Sequence, residues 1–342
     1  MDQKPIDKFI SWLYYSNIEI FVKLSQGIKN KKLSKVLLLL CLPILLTIAV
    51  FKHAYTTCWA SKSIRNDIQA DKLKTFPHEL ALVAIAKNEG MYLKEWIDYY
   101  LLMGVTKIYL YDNESSDCTA NVVKPYVENG TLDYILWPGE KMQIPCYNDA
   151  IKRFKDTARY FIVVDCDEFI QPIISKGILE IVNDCISQDC NAVGLAVNWM
   201  MFGSSGKEKA EKGLVIERFL RRAESQEWPN RHIKTICNPR FVLNYISPHY
   251  PIYRMGCYSV SSKGLKVPLW FIRPVEDQLI RCNHYFCKSK EEFIKKRNRG
   301  MADRNAKYDF SQFEKYDLNA VFDESMLQFA NQIKRENGVK NE

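Results

Sequence analysis

Apolar positions recur in distinct rhythms along this chain. Between Leu80 and Ala86, "LALVAIA" is a continuous run of strand length, and "KNEG" breaks it. From Met91 onward Leu93, Trp96, Ile97, Tyr100 and Leu101 follow the i, i+3, i+4 spacing of an amphipathic helix, which Gly104 closes. "KIYLY" reads as a second strand leading into "DNESSD"; a weaker helix holding Pro125 runs to Gly130, and "LDYILW" is a third strand. A helix over about Gln143 to Ala158 precedes "FIVVDCDEFI", Phe161 to Ile170, the fourth strand. Strand and helix in alternation predict an α/β fold, with a mostly parallel sheet flanked by helices. Beyond Gln171 the pattern loosens. A helix near Lys176 to Cys185, the strand "AVGLAVNWM", the loop "FGSSG" and a charged helical stretch around Glu217 to Glu224 follow. "NHYFCKSKEEFIKKRNRG" then passes from strand into basic helix.

The longest apolar run, "VLLLLCLPILLTIAVF" (Val36 to Phe51), follows Lys29, Lys31, Lys32 and Lys35. A spanning helix needs roughly 20 apolar residues, so this run is marginal, and Pro43 interrupts it. Upstream, "FISWLYYSNIEIFV" (Phe9 to Val22) has the aromatic and aliphatic mixture of a membrane-interface helix. Residues 1–76 are therefore expected to be a membrane-associated N-terminal hydrophobic helical segment that closes in the polar linker "SKSIRNDIQADKLKTFPHE", with a boundary near Pro77. Residues 77–310 would form the main domain and 311–342 a C-terminal helical tail. A pair of buried helices packed on the domain is the competing reading of the N-terminus. Positive-inside counting puts residues 1–35 in the cytosol and the domain across the bilayer, but Lys52, Lys62 and Arg65 beyond the run oppose it. Two placements stay open: a membrane-associated protein with its domain in the cytoplasm, or a single-pass protein with the domain opposite, as in a Golgi-type enzyme.

With 342 residues and 47% hydrophobic content the chain can fill a real core, which excludes a disordered protein. Its 48 basic and 40 acidic side chains leave a net charge of +8 without a polyanion-binding tail. An acidic membrane surface or a phosphorylated substrate suits this balance, and no nucleic-acid partner is expected. The eleven cysteines stand singly and read as reduced, mostly buried thiols. Cys282 and Cys287, flanking His284, are a lesser candidate set for a soft metal.

In parallel sheets ligands collect at the carboxyl ends of strands. Strand one ends in Lys87, Asn88 and Glu89, strand two in Asp112, Asn113 and Asp117, and strand four in Asp165, Asp167 and Glu168. On an extended chain Asp165 and Asp167 share one side and Cys166 turns away. Two such carboxylates, with no lysine or arginine nearby in sequence, repel unless a cation joins them. Mg²⁺ or Mn²⁺ with a diphosphate suits oxygen ligands. Acids ending a strand in solvent are the competing account. Asp112 and Asp117 can accept hydrogen bonds from a ribose or base, or simply build a turn. His284 can add a metal ligand while Lys288, Lys290, Lys295, Lys296, Arg297 and Arg299 meet phosphates or form a solvated helix face. Trp199 and Phe202 can stack on a sugar or fill the core.

Four segments in this order, "ALVAIAKNEGMYLKEWIDYYLLMGVTKIYLYDNESSD", "FIVVDCDEFI", "NWMMFGSSG" and "NHYFCKSKEEFIKKRNRG", resemble the glycosyltransferase family 92 domain and its relatives in the broader family 2 group. The resemblance covers roughly Leu80 to Gly300. It implies a GT-A fold, a nucleotide-sugar donor, commonly UDP-galactose, and inversion at the anomeric carbon. It further implies that Asp165 and Asp167 form a DxD metal site with His284 as a further ligand. Asn88, Glu89, Asp112 and Asn113 would hold the nucleoside, and Lys288 the diphosphate. Inversion needs a general base for the acceptor hydroxyl. The sequence does not identify it; Glu217, Glu224, Glu276 and Asp277 are the candidates in the acceptor half.

The expected function is metal-dependent transfer of a galactose-like hexose from a UDP-sugar to a glycan or lipid-linked acceptor. Two alternatives accompany it. One is a sugar-phosphate nucleotidyltransferase, although "AIAKNEG" lacks that chemistry's glycine-rich loop. The other is a non-catalytic, membrane-bound glycan-binding protein.

Overall fold

The computed structural model describes residues 31–55, 61–267, 270–299 and 309–338. The segment Phe9 to Val22 lies outside the described residues, as does the side chain of Arg299. Helix α1 (Lys31–Tyr55) contains the whole apolar run with Pro43 inside it. Leu40, Ile44, Val50 and Phe51 are exposed on it, and Leu45 and Ala49 are buried. Among the described residues no helix is long and apolar enough to cross a membrane.

The stretch expected to be a linker is instead helix α2 (Ser61–Lys72). Its composition is polar, but Ile64 and Ile68 lie one turn apart and bury together. Asp71 then pairs with Arg240 at 2.6 Å, so α2 is fastened to the domain. An acid whose partner lies far along the chain is invisible to a local reading of composition.

Next come β1 (His78–Ala86), α3 (Gly90–Leu102), β2 (Lys107–Asp112), α4 (Thr119–Glu128), β3 (Leu132–Leu136), α5 (Gln143–Phe154) and β4 (Ala158–Val163). They are followed by β5 (Glu168–Pro172), α6 (Ile178–Ser187), β6 (Ala192–Met201), α7 (Val215–Arg218) and β7 (Arg221–Arg222). Strands β8 (Ile233–Cys237), β9 (Val242–Tyr245), β10 (Pro251–Tyr253), β11 (Tyr258–Val260), β12 (Lys266–Val267) and β13 (Ile280–His284) precede α8 (Lys290–Arg299). The described chain ends in α9 (Phe310–Tyr316), β14 (Val321–Phe322) and α10 (Leu327–Glu336).

The main sheet runs β12-β11-β6-β8-β4-β1-β2-β3, with β13 beside the second half of β6 and β5 beyond β13. Strands β5, β8 and β12 oppose the others, so the sheet is mixed and mostly parallel. Residues of β1 alternate between two cores. Leu80, Leu82, Ala84 and Ala86 enter one, and Ala81, Val83 and Ile85 the other. Burial on both faces explains a continuous apolar run where a half-exposed strand would alternate. Helix α3 packs Leu93, Trp96, Ile97 and Tyr100 into the first core, as its spacing predicts.

Two elements differ from expectation. The fourth strand stops at Val163; Asp165 and Asp167 lie in the turn that follows, and Glu168 opens β5. The charged stretch around Glu217 to Glu224 is only the single turn α7 followed by β7, because Arg222 pairs with Asp323 and β7 with β14. Residues 311–342, expected as a tail, hold α10, whose Ala330 and Ile333 are buried.

Candidate active site

The parallel strands bring their carboxyl ends to one edge of the sheet, where five segments meet. After β1 the chain turns at Asn88, whose φ of 54° is left-handed, a conformation that asparagine tolerates better than most residues. The Asn88 side chain accepts from the Ser116 amide at 2.7 Å. Gly90 opens α3 where a Cβ would fall 2.6 Å from Cys118 Sγ and 2.8 Å from the Thr119 nitrogen, so only glycine lets the two loops touch. Its amide donates to Asp117 at 2.9 Å.

A cleft of about 290 Å³ opens here. Asn88, Glu89, Tyr92, Ser116 and Asp117 line it together with Lys288, Glu292, Lys295 and Lys296. Lys288 also has a left-handed φ, 52°, and its ammonium lies 4.3 Å over the Tyr92 ring. Behind it, Arg218 and Tyr92 both bond the buried carboxylate of Glu292, Arg218 through two nitrogens. That network fixes the base of α8, and with it the direction of Lys295 and Lys296.

The acid turn sits beside this cleft and is held from beneath by α3. Trp96 Nε1 donates to the Asp165 and Glu168 carbonyls, each at 3.1 Å, and Tyr100 to the Glu168 carbonyl at 3.0 Å. The two aspartates do not share a side through strand alternation, since the backbone is a turn. Asp165 accepts from Gln143 at 2.7 Å, Tyr147 at 3.1 Å and Lys234 at 3.0 Å. Asp167 meets Lys296 at 2.5 Å and His284 Nε2 at 3.4 Å. Cys166 turns inward, with Sγ 3.7 Å from the Ile85 carbonyl.

The premise that these acids lack a cation of their own is therefore overturned. Lys234, fully buried in β8, pairs with Asp165 and also with Glu168 at 3.1 Å. Burial works to raise the Asp165 carboxyl, but the charge and hydrogen bond of Lys234, with the help of His284, together hold the group below its ordinary value. Burial opposes ionisation of Asp167 too, and Lys296 with His284 holds it well below the carboxylate range. Glu168, wholly enclosed, is pushed up to about 7 by burial.

Among the described residues no three histidine, cysteine, aspartate or glutamate side chains gather as a ready cage for a metal ion. Asp165 is paired with Lys234 and Asp167 Oδ2 with Lys296, while Asp167 Oδ1 and His284 Nε2 face one another. Their separation of 3.4 Å is one that two ligands of a single small cation can span. A hard divalent ion often takes only one or two protein ligands and completes its shell with water and phosphate oxygens; here Asp167 Oδ1 and His284 Nε2 are the pair of that type, with Lys296 on the other Asp167 oxygen.

The other sequence candidates separate. Asp117 lines the cleft, though its carboxylate caps Thr119. Asp112 and Asn113 are buried and build the loop: Asp112 accepts from Tyr134 at 2.8 Å, and the Asn113 amide donates to the Trp137 and Gly139 carbonyls. Of the four candidate bases, Glu217 pairs with Lys334, Glu276 accepts from Ser262, Asp277 accepts from Ser225, and Glu224 is exposed. None of them lines the cleft. Phe202 is core, stacked on Tyr285, while Trp199 packs 4.4 Å from the His284 ring. Cys282 is buried in the core, and Cys287 reaches the Phe313 carbonyl.

Sequence reasoning left out Lys234, Gln143 and Tyr147. A lysine flanked by isoleucines in "HIKTIC" is a usable signal, because a strand buries such a charge only opposite an acid.

Sheet, turn and cleft define an α/β domain with a charged site at the carboxyl ends of its parallel strands, and comparison with known proteins gives its family. Residues 85–319, well over half of the chain, match the profile of Glycosyltransferase family 92. The chain belongs to glycosyltransferase family 92. It is 27% identical over 196 residues to a family 92 protein of Ricinus communis, a match spanning 56% of this chain and 35% of that one. A family 92 protein of Arabidopsis thaliana is 27% identical over 183 residues, 50% of this chain and 31% of its own. The chain thus spans about a third of the length of the curated relatives it matches. The S. aureus TarS fragment 1–349 in complex with UDP aligns over 48% of this chain and 47% of its own, at 14% identity and a TM-score of 0.33, too loosely to inform the chemistry.

Proposed function

We propose that this chain transfers a hexose, galactose-like, from a UDP-sugar to a glycan or lipid-linked acceptor, with inversion and with the help of Mn²⁺ or Mg²⁺. The observation that carries the proposal is the cleft lined by Asn88, Glu89 and Asp117 together with Lys288, Lys295 and Lys296, bordered by Asp167. Asn88, Glu89 and Asp117 offer hydrogen-bonding groups for the nucleoside. The lysines offer charge-assisted contacts to a diphosphate. Asp167 and His284 would hold the metal, which when bound would neutralise negative charge on the departing diphosphate.

Asp165 acts differently. Held by Lys234, Gln143 and Tyr147, it fixes the turn that presents Asp167 and keeps that turn from moving as the donor enters. Lys296 has two partners to choose from, Asp167 and an incoming phosphate, because it reaches both the acid and the cleft.

Membrane association through α1, with the domain on the cytoplasmic side, completes the proposal; the exposed Leu40, Ile44, Val50 and Phe51 support it. Recovery of the chain in the soluble fraction after expression without detergent would sink that part.

A thermal-shift series of nucleotide sugars, with and without Mn²⁺, tests the main reading, because a ligand bound only by the native state raises the melting temperature. A Mn²⁺-dependent rise with one UDP-sugar is expected, followed by transfer to a sugar acceptor. Pyrophosphate released from UTP and a sugar 1-phosphate would favour a nucleotidyltransferase. Binding of glycan without any UDP-sugar would favour a binding protein.

A further inference from the structure

Directly after the acid turn, at the start of β5, stands a third carboxylate, Glu168, to which the reaction above gives no task. Its side chain is wholly buried. One oxygen, Oε2, accepts from the Asp165 amide at 2.8 Å and pairs with Lys234. The other, Oε1, has no hydrogen-bond partner, and neither does His284 Nδ1. These two orphaned atoms lie 3.9 Å apart across the β5–β13 ladder, where Glu168 and His284 are register partners. Trp199 at 4.4 Å and Phe286 at 5.7 Å flank the imidazole, so the ring has little freedom to turn elsewhere. A buried donor and acceptor left unmade each cost free energy, and a small rotation would join them.

We infer that Glu168 is the positioning residue of the site: its Oε1 takes the Nδ1 proton of His284 in a hydrogen bond, so that Nε2 turns its lone pair toward Asp167. The inference rests on the metal reading above and assigns the carboxylate that sets the histidine tautomer. Lys234 has a second role in it. By holding Oε2, it leaves only Oε1 to face the imidazole.

The chemistry of the amide makes this testable. In Glu168→Gln the carbonyl oxygen would stay with the Lys234 ammonium and the Asp165 amide, which are both donors. The NH₂ would then face Nδ1 and force the proton onto Nε2, where it would block a metal. Mn²⁺ uptake by the full chain in the presence of UDP, read from the free-ion electron resonance signal, is expected to weaken about 10- to 100-fold in E168Q. Nitrogen-15 resonances of histidine-labelled wild type loaded with Mg²⁺ and UDP are expected to place the His284 proton on Nδ1; that measurement stands even if E168Q fails to fold. Equal Mn²⁺ affinity in E168Q, or a wild-type proton on Nε2, overturns this inference alone. A wild type that takes up no Mn²⁺ overturns the metal reading and this inference together.

Discussion

Two acidic clusters end neighbouring parts of one sheet, and they differ in what answers their charge. At the end of β2, Asp112 and Asp117 are satisfied by uncharged donors: Ser115 and Thr119 beside them in sequence, Tyr134 in β3 and the Gly90 amide at the start of α3. At the end of β4, Asp165 and Asp167 are answered by ammonium groups 69 and 129 residues away. The first cluster builds a loop, and the second holds charge ready at a cleft. Residue type and position at the sheet edge are shared, so only the donors separate structure from chemistry.

Removing the deepest of those donors should break the contrast most severely. Lys234→Met strands Glu168 in the core beside Asp165, and loss of one partner of a buried pair costs about 3–5 kcal/mol. Urea unfolding of this variant against wild type would show the midpoint fall. An unchanged midpoint would mean that Lys234 is not the counter-charge.

Asp167→Asn should lower stability, because it removes the carboxylate paired with Lys296, and should reduce kcat on the order of 10²–10³-fold, the usual effect of losing one electrostatic stabiliser of a transition state. Steady-state transfer from the UDP-sugar identified by thermal shift gives the measurement. Asp112→Asn in the same assay should stay within a few-fold of wild type.

The pH dependence sharpens the comparison, because two carboxyls bonded by backbone amides shift in opposite directions. Burial pushes Glu95 up to about 7, against N–H bonds from Val215 and Ile216. A carboxyl held above its ordinary 4.5 contributes stability that is full below that value and lost as pH rises through about 7. Glu95 should therefore weaken the wild type by up to about 3 kcal/mol between pH 5 and 8. Glu168, also pushed up to about 7, adds a slope of the same sign, and Glu95→Gln should make the combined slope shallower. For Asp117, burial also pushes upward, but the Thr119 and Gly90 bonds outweigh it and lower the group. Its contribution is present above 3.8 and lost only as pH falls through the lowered value. Chemical unfolding across pH would separate the two signs.

The smallest effect belongs to the loop-building cluster. Asp112→Asn weakens the bonds from Tyr134 and Ser115, and a loss of about 1–2 kcal/mol is expected in the same unfolding experiment.

Much of the fold was legible because burial writes itself into spacing. The run Leu80 to Ala86 is continuous because both its faces are covered, and α3 keeps its period because only one face enters the core. Less was legible where structure depends on a distant partner. Helix α2 looked like a linker because the residue that holds Asp71 is Arg240. The stretch after Glu217 looked helical because its pairing with β14 and Asp323 lies about a hundred residues on. At the site, Asn88, Glu89, Asp117 and Lys288 could be read from strand ends and do line one cleft. Asp112 and Asn113 satisfied the same rule and turned inward.

By itself the sequence determined where the alternating strands and helices from β1 to β4 lie, that several acids would gather at one edge of the sheet, and which family the chain resembles. Those properties follow from local periodicity, which a chain carries wherever it goes. Tertiary structure alone decided which acids meet lysines, which fold into their own loop, and that Asp167 rather than Asp165 faces His284. Charge compensation acts across a few ångströms of space regardless of separation along the chain, so no local pattern records it.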